Sequence, residues 1–110
     1  MVKISGTTIR MTRGDTAKIV LSLEDSEGNP YVPEPGDRIR FAMKRSYEDS
    51  DPVLIKEIPN DSLMLTIHPE DTKDFGMREK FVYDIEITYA NGDVDTFIDK
   101  AKLVLTEEVH

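Results

Sequence analysis

Between Phe81 and Tyr89 every odd position is aromatic or β-branched, and Asp84, Glu86 and Thr88 fill most of the even ones. Successive side chains of a strand point to opposite faces, so this alternation specifies a half-buried β-strand with one apolar and one polar face. The same period of two recurs along the chain. Ile39, Phe41 and Met43 alternate with Arg38, Arg40 and Lys44; Ile19, Leu21 and Leu23 alternate with Lys18 and Ser22; Leu63, Leu65 and Ile67 flank Thr66. Ile9 to Thr12 and Val53 to Ile58 read as further strands.

Turn chemistry separates the runs. Thr12-Arg13-Gly14-Asp15-Thr16, Glu24 to Pro30, Pro33 to Gly36, Tyr47 to Pro52 and Pro59-Asn60-Asp61 are all breakers. Asn91-Gly92 tolerates positive φ at both central positions and predicts a tight hairpin into a strand over Val94 to Leu105. In that strand Val94, Thr96 and Ile98 are even whereas Leu103 and Leu105 are odd. A bulge near Asp99–Ala101 reconciles them; otherwise Phe97, Ala101, Leu103 and Leu105 form the inner face throughout. Only Pro69 to Gly76 reads as helical, as one turn held by packing of Phe75. About seven or eight short strands with turn signals roughly every 8–12 residues predict an all-β, immunoglobulin-like antiparallel β-sandwich with one short helical turn. A single-sheet barrel is the competing architecture. Residues 1–110 form one such domain.

The chemistry that such a chain can perform is narrow. With no cysteine, disulfides, thiolate metal sites and thiol catalysis are excluded together. His68 and His110 are the only imidazoles: the first lies on the polar side of its strand and the second is terminal, so a hydrolytic triad or a His-based metal site is not expected. The acidic stretches Asp25 to Asn29, Glu48 to Asp51 and Asp93 to Asp95 match no calcium-loop pattern and read as solvated turns. Glycines are scattered at turns, with no phosphate-binding loop. The expectation is a non-enzymatic protein with no cofactor and no metal.

Charge bears on partners. The net charge is −8, which argues against nucleic acid, and the longest apolar runs are three residues, too short for a spanning helix. Residues 1–23 nonetheless carry four bases against one acid, while the rest carries ten against 21. Arg10 and Arg13, from that basic stretch, are candidate partner contacts. Arg13-Gly14-Asp15 is also the tripeptide integrins bind, but here it reads as a turn between strands. Tyr31 and Tyr47 lie in loops and are candidate ligand contacts; as stacking residues they would serve the alternative reading, a carbohydrate-binding or cell-surface adhesion module.

The order of several segments carries a resemblance. Ile9-Arg10-Met11-Thr12-Arg13-Gly14-Asp15-Thr16 comes first, then Gly28-Asn29-Pro30-Tyr31 and Gly36-Asp37-Arg38-Ile39-Arg40-Phe41-Ala42-Met43-Lys44. Thr66-Ile67-His68-Pro69-Glu70-Asp71-Thr72 and Tyr83-Asp84-Ile85 follow. Together they resemble the N-terminal domain of upper-baseplate-type proteins in phages and prophages of Gram-positive bacteria, over nearly the whole chain. The resemblance implies an immunoglobulin-like sandwich that anchors to or decorates a virion tail through protein–protein contact. Its implied partners are other tail or baseplate proteins, or further copies in a homo-oligomer, and its implied location is the virion or the host cytoplasm before assembly. It brings no catalytic residues. Since the chain ends at His110, an accessory or decoration protein, or an excised domain of a longer chain, is expected rather than a full adaptor.

Overall fold

A computed structural model of the chain describes residues 3–4, 8–25, 27–76 and 79–106, with the backbone alone for 3–4 and 97–100. Among these residues the order is β1 (Lys3–Ile4), β2 (Ile9–Thr12), β3 (Ala17–Val20), β4 (Leu23–Glu24), β5 (Arg38–Lys44), β6 (Leu54–Ile58), β7 (Met64–Ile67), α1 (Pro69–Thr72), β8 (Lys80–Thr88) and β9 (Val94–Thr106). The protein is all-β.

Five strands form one mixed sheet in the order β2-β9-β8-β5-β6, and β3–β7 and β1–β4 form two short ladders. The expected antiparallel pairing holds at β9–β8, β8–β5 and β5–β6 and fails at β2–β9, which is parallel. A parallel pair needs a long connection. Here almost the whole chain lies between the two strands, so β2 is free to run alongside β9 in the same direction.

The alternation read from the sequence sets the faces. Phe81, Tyr83, Ile85 and Ile87 of β8, Ile39, Phe41 and Met43 of β5, and Leu103 and Leu105 of β9 are buried on one side of the sheet. Leu65 and Ile67 of β7, with Leu21 and Leu23, close the same core. Each fully buried side chain of this size contributes about 1.5–3 kcal/mol. Phe75 follows α1 and packs on Phe81 at 4.9 Å between ring centroids, as expected of that segment. His68 is exposed.

Two turns differ from expectation. Asn91-Gly92 is not a two-residue hairpin: Tyr89 N–H donates to the Asp93 carbonyl at 2.7 Å and Gly92 N–H to the Tyr89 carbonyl at 2.8 Å. Gly92 has φ 96° and Asn91 does not have positive φ. This is the three-residue loop, a turn followed by a left-handed glycine. The alternating run through Ile19, Leu21 and Leu23, expected as one strand, also divides. β3 ends at Val20, and Leu21 N–H still donates to the Leu63 carbonyl at 2.8 Å before β4 begins.

The register of β9 shifts twice against β8. Tyr83 pairs with Ala101, Ile85 with Ile98 and Glu86 with Thr96. The first shift falls in the predicted 99–101 region and the second at Phe97. The two one-residue shifts cancel in parity, so odd positions of β9 lie opposite the buried residues of β8 on both sides of them. Val94 and Thr96 are exposed, and the inward-facing even positions that a single bulge would give there do not form. The side chains of Phe97 and Ile98, to which inner and outer faces were assigned, lie outside the described residues.

Candidate functional site

The four contact residues singled out by sequence divide between internal and external use. Arg13 is internal: its Nη1 donates to the carbonyls of Lys73 at 2.8 Å and Phe75 at 3.3 Å, just beyond α1. Gly14 N–H of the same turn donates to Oγ1 of Thr72, a fully buried side chain, at 2.8 Å. The Arg-Gly-Asp segment is thus a turn docked on the helical turn. Tyr31 is half-buried; its hydroxyl donates to Asp37 Oδ2 at 2.7 Å and its ring meets Tyr89 edge-on at 6.2 Å. Tyr31 and Tyr47 therefore do not form a pair of open aromatic platforms. Tyr47 is 51% exposed in the loop between β5 and β6. Asp25 is a turn residue as read: its Oδ1 accepts from the N–H groups of Glu27 and Asn29, both at 2.9 Å.

Arg10 is external, and it is not alone. It lies on the outer face of β2, opposite the buried Met11. Register carries that face across the sheet: Arg10 pairs with Val104, and Val104 with Lys80. In the next row Lys102 pairs with Val82, and Val82 with Lys44. Cations two strands apart in such a row are about 10 Å apart. Thr8, Arg10, Arg45, Lys80, Lys102 and the two valines line an open concavity of about 440 Å³.

Its electrostatics set it apart from the rest of the sheet. Elsewhere on the outer face Arg38 is paired with Glu57 at 2.6 Å and Arg40 with Glu86 at 3.0 Å. Lys56 is paired with Asp71 at 2.7 Å, and Arg45, at the concavity's rim, with Glu79 at 3.0 Å. Arg45 also lies over the rings of Phe75 and Phe81, at 5.4 and 5.5 Å. Among the described residues, no acid pairs with Arg10, Lys44, Lys80 or Lys102. Two such charges 10 Å apart in water repel by only about 0.4 kcal/mol, so the fold tolerates the cluster. An anionic surface laid over it meets all four at once, with apolar contact available on Val82 and Val104.

Sequence reasoning found Arg10 and missed its companions. Lys80 and Lys102 come from strands with no basic excess, and Lys44 from β5, whose other two bases, Arg38 and Arg40, are paired with acids; all three lie within the part of the chain that carries the acidic excess. Only the cross-strand register brings them to Arg10, and the parallel β2–β9 pairing that does so has no local signal.

Among the described residues, no three metal-ligating side chains converge, and no helix is long and apolar enough to cross a membrane. The chain matches no protein-family model and no curated protein. Fold and surface together define an all-β domain carrying a basic, valine-floored concavity on its outer sheet face.

Proposed function

We propose that the chain is a non-enzymatic structural or accessory module of a phage or prophage tail, built as an immunoglobulin-like β-sandwich and working by protein–protein contact. The observation that carries the reading is the concavity lined by Arg10, Lys80 and Lys102, with Lys44 in the adjoining row, a cationic face on a protein of net charge −8. The order of segments resembling upper-baseplate domains supports the tail assignment, and the closure of Leu65 and Ile67 over the sheet supports the sandwich.

A strand face suits this use. Its side chains stand on a stiff backbone, so little ordering is lost when a partner docks. Cations spaced by valines recognise an acidic surface and exclude a basic one, which gives partner choice and encounter rate more than raw affinity.

Tail particles purified from the encoding phage or induced lysogen test the reading. Quantitative mass spectrometry is expected to find the chain at a fixed ratio to the tail proteins. Lys80→Glu/Lys102→Glu is expected to leave the particles without it. Particles that lack the native chain overturn the proposal.

A further inference from the structure

We infer that the basic concavity receives the β5–β6 loop of a second copy of this chain, in a reciprocal two-fold contact. The inference rests on the reading of that face as a protein contact surface.

The loop and the face are neighbours on each molecule. Lys44 is in the Lys102–Val82 row, Arg45 lines the concavity, and the loop begins at the next residue, Ser46. Glu48, Asp49 and Asp51 then follow within six positions, and among the described residues none forms an ion pair. The loop is folded and not trailing: Asp49 N–H donates to the Ser46 carbonyl, and Ser46 N–H to Asp49 Oδ2, both at 3.2 Å. It carries Tyr47, 51% exposed, with Val53 and Ile55 also exposed beyond it.

Each feature of the loop has a counterpart on the face. Three acids answer four cations that no described acid pairs, and the tyrosine ring answers the Val82–Val104 floor. Aromatic anchors in a ring of complementary polar groups are what carry the energy of protein contacts. A single loop on a single face falls short of the ~1,200 Å² that stable interfaces bury. Because loop and face adjoin, a two-fold axis applies the contact twice: the loop of each copy enters the concavity of the other. An adjacent acid and base on one surface is the self-complementary arrangement that closes a dimer instead of a chain.

The test uses sedimentation velocity over a concentration series, with two variants. The face variant is Lys80→Glu/Lys102→Glu, and the loop variant is Glu48→Lys/Asp51→Lys, which spares the turn-forming Asp49. The native chain is expected to dimerise near 50 mM salt, with a dissociation constant at least about tenfold weaker near 500 mM. Each variant alone is expected to be monomeric, because the loop variant presents like charges to itself and the face variant loses its net attraction for the acidic loop. Mixed together they are expected to form a dimer, since both contacts are complementary again. Lys80→Gln/Lys102→Gln replaces the face variant if charge reversal perturbs its circular dichroism.

A native chain that stays monomeric, a loop variant that dimerises as the native chain does, or growth beyond two copies overturns the inference. Failure here is distinguishable from failure of the tail assignment. If the loop variant is still incorporated into tails and the face variant is not, the face is a tail contact and not a dimer contact. If the dimer forms as described but tails lack the chain, the tail assignment fails alone.

Discussion

The hydroxyl of Tyr31 donates to Oδ2 of Asp37 at 2.7 Å, and through it the loop between β4 and β5 is fastened to the end of the sheet opposite the basic concavity. Asp37 is 5% exposed and gathers three donors: Tyr31, Glu34 N–H at 2.9 Å on the same oxygen, and Ala90 N–H at 3.1 Å on Oδ1. Its own carbonyl accepts from Asn60 Nδ2 at 2.7 Å. One residue thus ties together three loops that join β4 to β5, β6 to β7 and β8 to β9. Beside it Tyr89, edge-on to Tyr31, donates to Asp95 Oδ2 at 2.8 Å.

Asp37 is therefore expected to couple stability to acid. Burial pushes its carboxyl up, but the bonds from Glu34, Tyr31 and Ala90 favour the charged form and outweigh it, so the pKa lies below the ordinary 3.8. A lowered folded pKa gives stability that is complete above the unfolded value and is lost as pH falls through the folded one. Asp37→Asn replaces one acceptor by a donor that faces donors, at a cost of about 1–3 kcal/mol near neutral pH. Urea denaturation should show that deficit at pH 7 and a narrowing gap to the native protein once pH drops below 3.8. A gap that stays constant into acid would exclude the carboxylate as its source.

Gly36 and Gly92 both have φ 96°, yet differ in surroundings. A Cβ on Gly92 meets nothing within 4 Å, whereas one on Gly36 comes to 2.9 Å from the Cβ of Ala90. Left-handed backbone costs an L-residue about 1–2 kcal/mol, so Gly92→Ala is expected to lose roughly that. Gly36→Ala is expected to lose more, because the β4–β5 and β8–β9 loops must separate. Adding Ala90→Gly should recover only the excess, a coupling that a double-mutant cycle on denaturation midpoints reads directly.

The Arg13-Gly14 turn predicts a long-range stability effect. Thr72→Val keeps shape but removes the acceptor of Gly14 N–H, which should cost about 1–3 kcal/mol, while Thr72→Ser retains the hydroxyl and most of the stability. Arg13→Ala should also destabilise, by freeing the carbonyls of Lys73 and Phe75. Since the guanidinium is engaged with those carbonyls, the immobilised protein should support no integrin-dependent cell adhesion. Attachment blocked by an Arg-Gly-Asp peptide would contradict this placement of Arg13.

What was legible in the sequence was what depends on neighbours along the chain. The buried faces of β5 and β8 follow from parity alone, and the α1 turn from Pro69 and its two following acids. Pairing partners depend on residues far apart, and there parity is silent. Nothing local tells β2 to join β9 or tells β9 to slip twice, so the row Arg10–Val104–Lys80 could not be assembled from the sequence. Local chemistry also misled at one bend. After Pro59-Asn60-Asp61 the left-handed residue is Leu63, at φ 52°, and not an Asn or Gly. Its carbonyl accepts from Leu21 and its side chain packs on the core, so tertiary contacts override the backbone preference.

The tyrosines predict the opposite limb of the pH profile. Burial, then the bond and charge of Asp37, raise Tyr31 from 10.0 to about 12. Burial raises Tyr83, and burial with the Asp95 bond raises Tyr89 above its ordinary value. For a phenol whose folded pKa is raised, the unfolded chain ionises first. Stability is therefore complete below pH 10.0 and declines as pH climbs toward about 12. Denaturation midpoints across that window should fall steadily in the native protein. Tyr31→Phe should start lower near neutral pH, having lost the bond to Asp37, and fall less steeply, having one fewer phenol to ionise. Phenolate absorbance from Tyr31, Tyr83 and Tyr89 should rise together with loss of the folded circular dichroism. Ionisation of Tyr31 and Tyr89 well before unfolding would refute the Tyr31–Asp37 and Tyr89–Asp95 bonds.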